Sequence, residues 1–157
     1  MKTAAAPATA PPRPRGRPRS FDREAALAAA MEVFWQKGFE GASLADLTSA
    51  MGINPPSLYA AFGDKEDLFL QAAQHYATRR NASCPYAEEP TAKAAVRTLL
   101  TYFAHDFSSP DHPRGCLMML AAATTGSAPK LQAALAKMRA DSRARMRARI
   151  ERGIREG

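Results

Sequence analysis

The sequence predicts an all-α protein, and three observations carry that prediction. Apolar residues recur every three or four positions from residue 22 onward, residues suited to helix N-caps stand just before these stretches, and no segment alternates with the period of two that a half-buried strand requires. At 157 residues the chain can bury roughly 68–70% of its unfolded surface, enough for a true core.

The first helix is expected over 22–37, with Asp22 as N-cap, Leu27, Ala30, Met31 and Phe34 on its apolar side, and Gly38 as its stop. Ser43 and Asp46 have capping-box spacing and open a two-turn helix with Leu44, Leu47 and Met51 inward, ended by Gly52. Asn54 can cap a third helix, about 55–62, whose first positions are Pro55 and Pro56. The first turn has no intrahelical use for an N–H, so both prolines fit there. Asp64 caps a fourth, with Leu68, Phe69, Ala72 and Tyr76 as its buried stripe, and a loop is expected over 81–90. Val96, Leu99, Leu100, Phe103 and Phe107 mark an amphipathic helix, "CLMMLAAA" reads as a buried helix within 115–125, and a long basic helix runs from about 129 to 155.

Charge is distributed unevenly. The net charge is +7, yet residues 1–20 hold five bases and no acid, and residues 137–157 hold eight bases against three acids, so everything between is net acidic. A basic excess at the two ends points to contacts with a polyanion. Residues 1–19, rich in Ala, Pro and Arg without periodicity, are expected to be disordered when alone. The two cysteines are too few for a disulfide scaffold, no apolar run approaches the roughly 20 residues of a membrane span, and the start lacks a signal-peptide pattern, so a cytoplasmic protein without a membrane association is expected.

The two short helices joined through Gly52 have helix-turn-helix spacing, which a purely structural helical bundle would also show. The run "FWQKGFEGASLADLTSAMGINPPSLYAAFGDKEDLF" narrows the choice. With Phe34, Gly38 and Phe39 ending helix one, Ser43 opening helix two, Gly52 in the turn, and Leu58, Tyr59, Phe62, Lys65 and Leu68 in register, it resembles the DNA-binding domain of the tetracycline-repressor (TetR) family of bacterial transcription regulators. The resemblance covers about 20–80; "RGCLMMLAA" and the charged helix after it resemble the family's ligand-binding part more loosely.

After the basic arm that composition marks at 1–19, the resemblance implies a three-helix DNA-binding head at 20–80 with its helix-turn-helix at 43–62, and a partial effector and dimerisation domain at 81–157 that lacks the last helices. By matching position, Ser43, Tyr59 and Lys65 would hold phosphates of double-stranded operator DNA, and Pro55, Pro56, Ser57 and Ala60 would face base edges. Tyr59 as a packing aromatic and Lys65 as a solvated first-turn lysine are the plainer readings of the same residues. Asn54, Ser57 and Tyr59 are the hydrogen-bonding side chains left on this helix, so bidentate arginine readout of guanine is unavailable, and thymine methyls with DNA shape are expected to supply selectivity. Tyr76, Phe103, Met118 and Met119 would line a pocket for an unknown small-molecule effector, or be simply core. A homodimer is implied if the full-length chain continues past 157.

The arm has its own logic. Residues 20–80 contain five bases and eight acids, so a net acidic head must approach a polyanion. Arg15, Arg17 and Arg19, with Gly16 and Pro18 between them, resemble an AT-hook peptide laid in an A·T minor groove; a basic tail without a fixed pose is the alternative. "HDFSSPDHPRGC" gathers His105, Asp106, Asp111, His112 and Cys116, but the spacing fits no zinc pattern and its prolines suggest a solvated loop, so neither metal nor cofactor is expected. Cys116 reads as a small core residue, whereas Cys84, in a loop, reads as the more reactive thiol. No nucleophile with a base, phosphate-binding glycine loop or catalytic carboxylate pair appears, so an enzyme is not expected. The expectation is a ligand-responsive repressor on a palindromic operator; the alternative is a truncated ligand- or redox-sensing helical module without specific operator binding.

Overall fold

The computed structural model describes residues 21–156, so Arg15, Arg17 and Arg19 of the arm lie outside the described residues. Among the described residues seven helices follow one another: α1 (Arg23–Gly41), α2 (Leu44–Met51), α3 (Pro55–Phe62), α4 (Lys65–Ser83), α5 (Ala92–Ser108), α6 (Leu117–Thr124) and α7 (Pro129–Glu156). The cap residues act as their chemistry predicts. The Asp22 carboxylate accepts from the amides of Glu24 and Ala25, Ser43 and Asp46 close a reciprocal capping box, and the Asn54 side chain accepts from the Ser57 amide at 2.9 Å. A second capping box joins Asp64 and Asp67. Gly38 has φ 72° and ψ 175° and breaks α1 where the sequence suggested, before one further turn.

One hydrophobic core runs through α1, α2, α3, α4, α6 and the start of α7. Its centre is an aromatic cluster in which Phe69 of α4 meets Phe34 and Phe39 edge-on, with ring centroids 4.8 and 5.4 Å away. Leu47, Leu58 and Leu68 are wholly buried around it, so α2 and α3 are pinned from beneath. On the same core, the Arg23 guanidinium bonds Gln71 and lies 4.6 Å from the centre of the Phe62 ring, and Gln71 donates to the Phe62 carbonyl at 2.8 Å. These contacts tie the C-terminal end of α3 to both α1 and α4.

Gly63 makes the corner between α3 and α4 possible. Its backbone has φ 83° and ψ −146°, close to a region that only glycine occupies freely, and a Cβ there would collide with Asp67 Oδ2. Gly63→Ala is expected to lower stability by about 1–3 kcal/mol, because strain adds to displacement of Asp67 from its capping box. A urea-unfolding midpoint unchanged from the parent would show that the corner relaxes.

Elsewhere the structure corrects the sequence reading. Helix α4 continues to Ser83, through the first residues of the expected loop. In α5 only Ala95 is buried: Val96, Leu99 and Phe103 are half-covered, Leu100 is 62% exposed and Phe107 is 40% exposed. An apolar stripe says which face seeks cover, and α5 packs chiefly on α7, which covers only part of that face. The α6 helix is half-buried, with Leu117, Met118 and Ala121 inward and Met119 and Leu120 exposed. Cys84 is buried with Tyr86 and Ala95 in a small second cluster, and burial pushes its thiol pKa up, so it is not the reactive loop thiol expected. Cys116 is a core residue, as its sequence context suggested.

Candidate DNA-binding surface and adjoining cavities

The helix-turn-helix is built from α2, the Gly52 turn and α3. Gly52 adopts the left-handed conformation, φ 64° and ψ 28°, and its amide closes back onto α2, so α3 leaves at a sharp angle. Leu58 and Phe62 point into the core, which turns Pro55, Pro56, Tyr59 and Ala60 outward; Tyr59 is 48% exposed. Ser57 is half-buried beside them. Asn54 stands at the exposed start of this face, but its carbonyl oxygen is committed to the cap, leaving its NH2 group as the free donor. The exposed surface of α3 is thus small, apolar and narrow, with one phenol.

Ser43 and Lys65 flank that surface but are engaged within the protein. The Ser43 hydroxyl donates to Asp46 Oδ2 at 2.7 Å and accepts from the Asp46 amide. Lys37 reaches the same carboxylate at 2.6 Å, and Lys37, then Ser43, hold the Asp46 carboxyl well below the usual carboxylate range. The amides of Leu44 and Ala45, in the first turn of α2, are left as the available phosphate donors there. Lys65 places its ammonium 4.7 Å from the Phe39 ring centre; burial lowers its pKa, opposed by Glu40.

Of the four residues expected around an effector, Phe103, Met118 and Met119 line one cavity of about 440 Å³, bounded by α4, α5, α6 and α7. Tyr76 lines a different, polar cavity of about 270 Å³ with Trp35, Asp106 and His112. Arg80 borders both. Its guanidinium lies 5.6 Å from the Tyr76 ring centre and 5.0 Å from that of Phe103, and it donates to Cys116 Sγ at 3.1 Å. In the smaller cavity His112 stacks on Trp35 at 4.7 Å and approaches Asp106 Oδ1 at 3.3 Å. The expected solvated loop therefore packs back onto α1.

Sequence reasoning also missed Arg149. The sequence marks α7 only as a long basic helix, yet Arg149 is only 4% exposed and donates to the Glu89 carbonyl at 2.6 Å, while Arg152 reaches the Ala87 carbonyl. Together they fasten the 84–91 loop to α7. Among the described residues, no helix is long and apolar enough to cross a membrane.

Comparison with known proteins agrees with this geometry. Residues 26–72, which span the helix-turn-helix, match the family described as bacterial regulatory proteins, tetR family. The HTH-type transcriptional repressor ComR of Escherichia coli K12 is 43% identical over 108 residues, 67% of this chain and 51% of ComR. The chain thus spans about half the length of that curated relative. Among solved structures, a cysteine-substituted TetR family regulator, CifR, complexed with 26 base pairs of double-stranded operator DNA, is 47% identical, with a TM-score of 0.83 over 90% of this chain and 75% of that one. PfmR from Thermus thermophilus, at 23% identity and a TM-score of 0.63, shares the fold. A matching helix-turn-helix, a matching fold and a close relative of which three quarters is covered lead to one assignment: this chain belongs to the tetR family of bacterial regulatory proteins.

Proposed function

We propose that the chain is a DNA-binding transcriptional regulator, a repressor that acts in the cytoplasm as a homodimer on a palindromic operator and releases it in response to a small molecule. The observation that carries this reading is the outward face of α3, where Pro55, Pro56, Tyr59 and Ala60 stand exposed on a helix locked from beneath by Leu58 and Phe62. Residues 20–80 form the DNA-binding part and 81–157 the effector part. The face of α3 enters the major groove, the first amides of α2 and the Tyr59 hydroxyl hold phosphates, and Ser57 and Asn54 supply the polar contacts to bases. The likeness to a regulator solved on its operator supports the same reading.

Because the reading face is nearly free of hydrogen-bonding groups, selectivity rests on thymine methyls against Pro55, Pro56 and Ala60 and on duplex shape. Fluorescence-anisotropy titration against fragments of the flanking genome is expected to find a specific site. Replacing its thymines by uracil is expected to weaken binding roughly fourfold per buried methyl, from about 0.8 kcal/mol each. Unchanged affinity would sink the methyl readout, and no sequence preference on any fragment would sink the repressor reading.

A further inference from the structure

The cavity of about 440 Å³ combines two features that together specify a ligand. Its interior is apolar and soft, formed by Phe103, Phe107, Met118, Met119 and Met138. Its charged boundary is of one sign: Arg80, Arg139, Arg143 and Arg145 line it beside the neutral Asn81 and Ser142, and no aspartate or glutamate does. The neighbouring polar cavity is different, for there Arg79 and Arg80 are matched by Glu32, Asp106 and Asp111. Among the described residues Arg139, Arg143 and Arg145 take part in no ion pair, and Arg139 Nη1 is buried without a hydrogen-bond partner. A buried guanidinium nitrogen left unpaired is costly, and a carboxylate is the group whose geometry matches it.

We infer that this cavity takes an amphipathic organic anion, a carboxylate on an alkyl or aryl body, with the carboxylate on Arg139 and Arg143 and the apolar body along Phe103 and Met118. The inference rests on the effector reading above and names the chemical class of ligand that reading leaves open. The cavity volume lies within the range of about 300–1,000 Å³ usual for small-molecule sites. Spacing supports a common headgroup site, since Arg139 and Arg143 stand at i and i+4 on α7 and face the same way. Arg80, stacked on Phe103, provides a third cation at the inner wall.

The test is calorimetric titration of the full chain with decanoate, decan-1-ol and decyltrimethylammonium, each below its aggregation threshold. Decanoate is expected to bind saturably, one per chain, at least about tenfold more tightly than the alcohol, with the cation weakest of the three. The double variant Arg139→Gln, Arg143→Gln, checked for unchanged helical circular dichroism, is expected to lose about tenfold or more in decanoate affinity and to bind decanol as the parent does. If decanol binds as tightly as decanoate, or the double variant binds decanoate unchanged, the anion assignment fails and an apolar effector pocket survives. If none of the three binds, the anion assignment and the effector pocket both fail.

Discussion

Phe69→Ala is expected to lower unfolding stability by about 3–5 kcal/mol, among the largest losses from a single truncation in the core. Phe69 is fully buried on α4 and meets both Phe34 and Phe39 edge-on, so its removal deletes two aromatic contacts as well as its own buried surface. The surrounding helices cannot close the void. On one side α1 is held by Phe34 and Trp35, and on the other α2 and α3 are held by Leu47 and Leu58, all in the same core. Since a domain of this size is stable by about 5–15 kcal/mol, the variant should show a much lower urea midpoint with an unchanged denaturant slope, and lose operator binding as it unfolds. Phe107→Ala is the internal control: at 40% exposure it should cost under about 1 kcal/mol. A Phe69 variant within about 1 kcal/mol of the parent would contradict the aromatic cluster as the centre of the head.

Why the head was so legible in the sequence follows from the same residues. Ser43, Asn54 and Asp64 are local devices, each satisfying amides within three residues of itself, so their positions fix α2, α3 and α4 without knowledge of anything distant. Pro55 and Pro56 fit only a first turn, which set the start of α3. Beyond residue 80 the deciding contacts are long-range. Whether the α5 stripe is covered depends on where α7 crosses it, and Arg149 is buried because a carbonyl 60 positions away in sequence turns toward it. Neither fact has a local signature. The proposed effector residues show the same limit: Tyr76 and Phe103 both flank Arg80, but its guanidinium stands between them and puts them in separate cavities. Long basic side chains carry the weakest local signature, because an arginine or lysine stem can lie along apolar surface and carry its charge to a partner that composition does not reveal.

That same behaviour of the basic residues makes removal of residues 1–19 the second large effect. Residues 20–80 hold five bases against eight acids, and the structure engages most of those five internally. Arg23 is bonded to Gln71 over Phe62, Lys37 to Asp46, Lys65 lies over Phe39, and Arg80 is stacked between Tyr76 and Phe103. Arg79 lines the cavity shared by α1, α4 and α5, away from α3. Little cationic charge is left beside the reading face to neutralise phosphates. Arg13, Arg15, Arg17 and Arg19 would supply it: four neutralised phosphates add about 3.6 to the slope of log affinity against log salt per protomer. At about 0.15 M salt that slope corresponds to roughly two to three orders of magnitude in affinity, which the deletion is expected to remove while the thermal midpoint stays put. Anisotropy titrations at four salt concentrations, with and without residues 1–19, read the difference in slope directly. Parallel lines would mean that the head finds its phosphate contacts among the first α2 amides and the Tyr59 hydroxyl alone; a slope reduced by about one unit per arginine would mean that the arm carries the electrostatics the head has spent on its own folding.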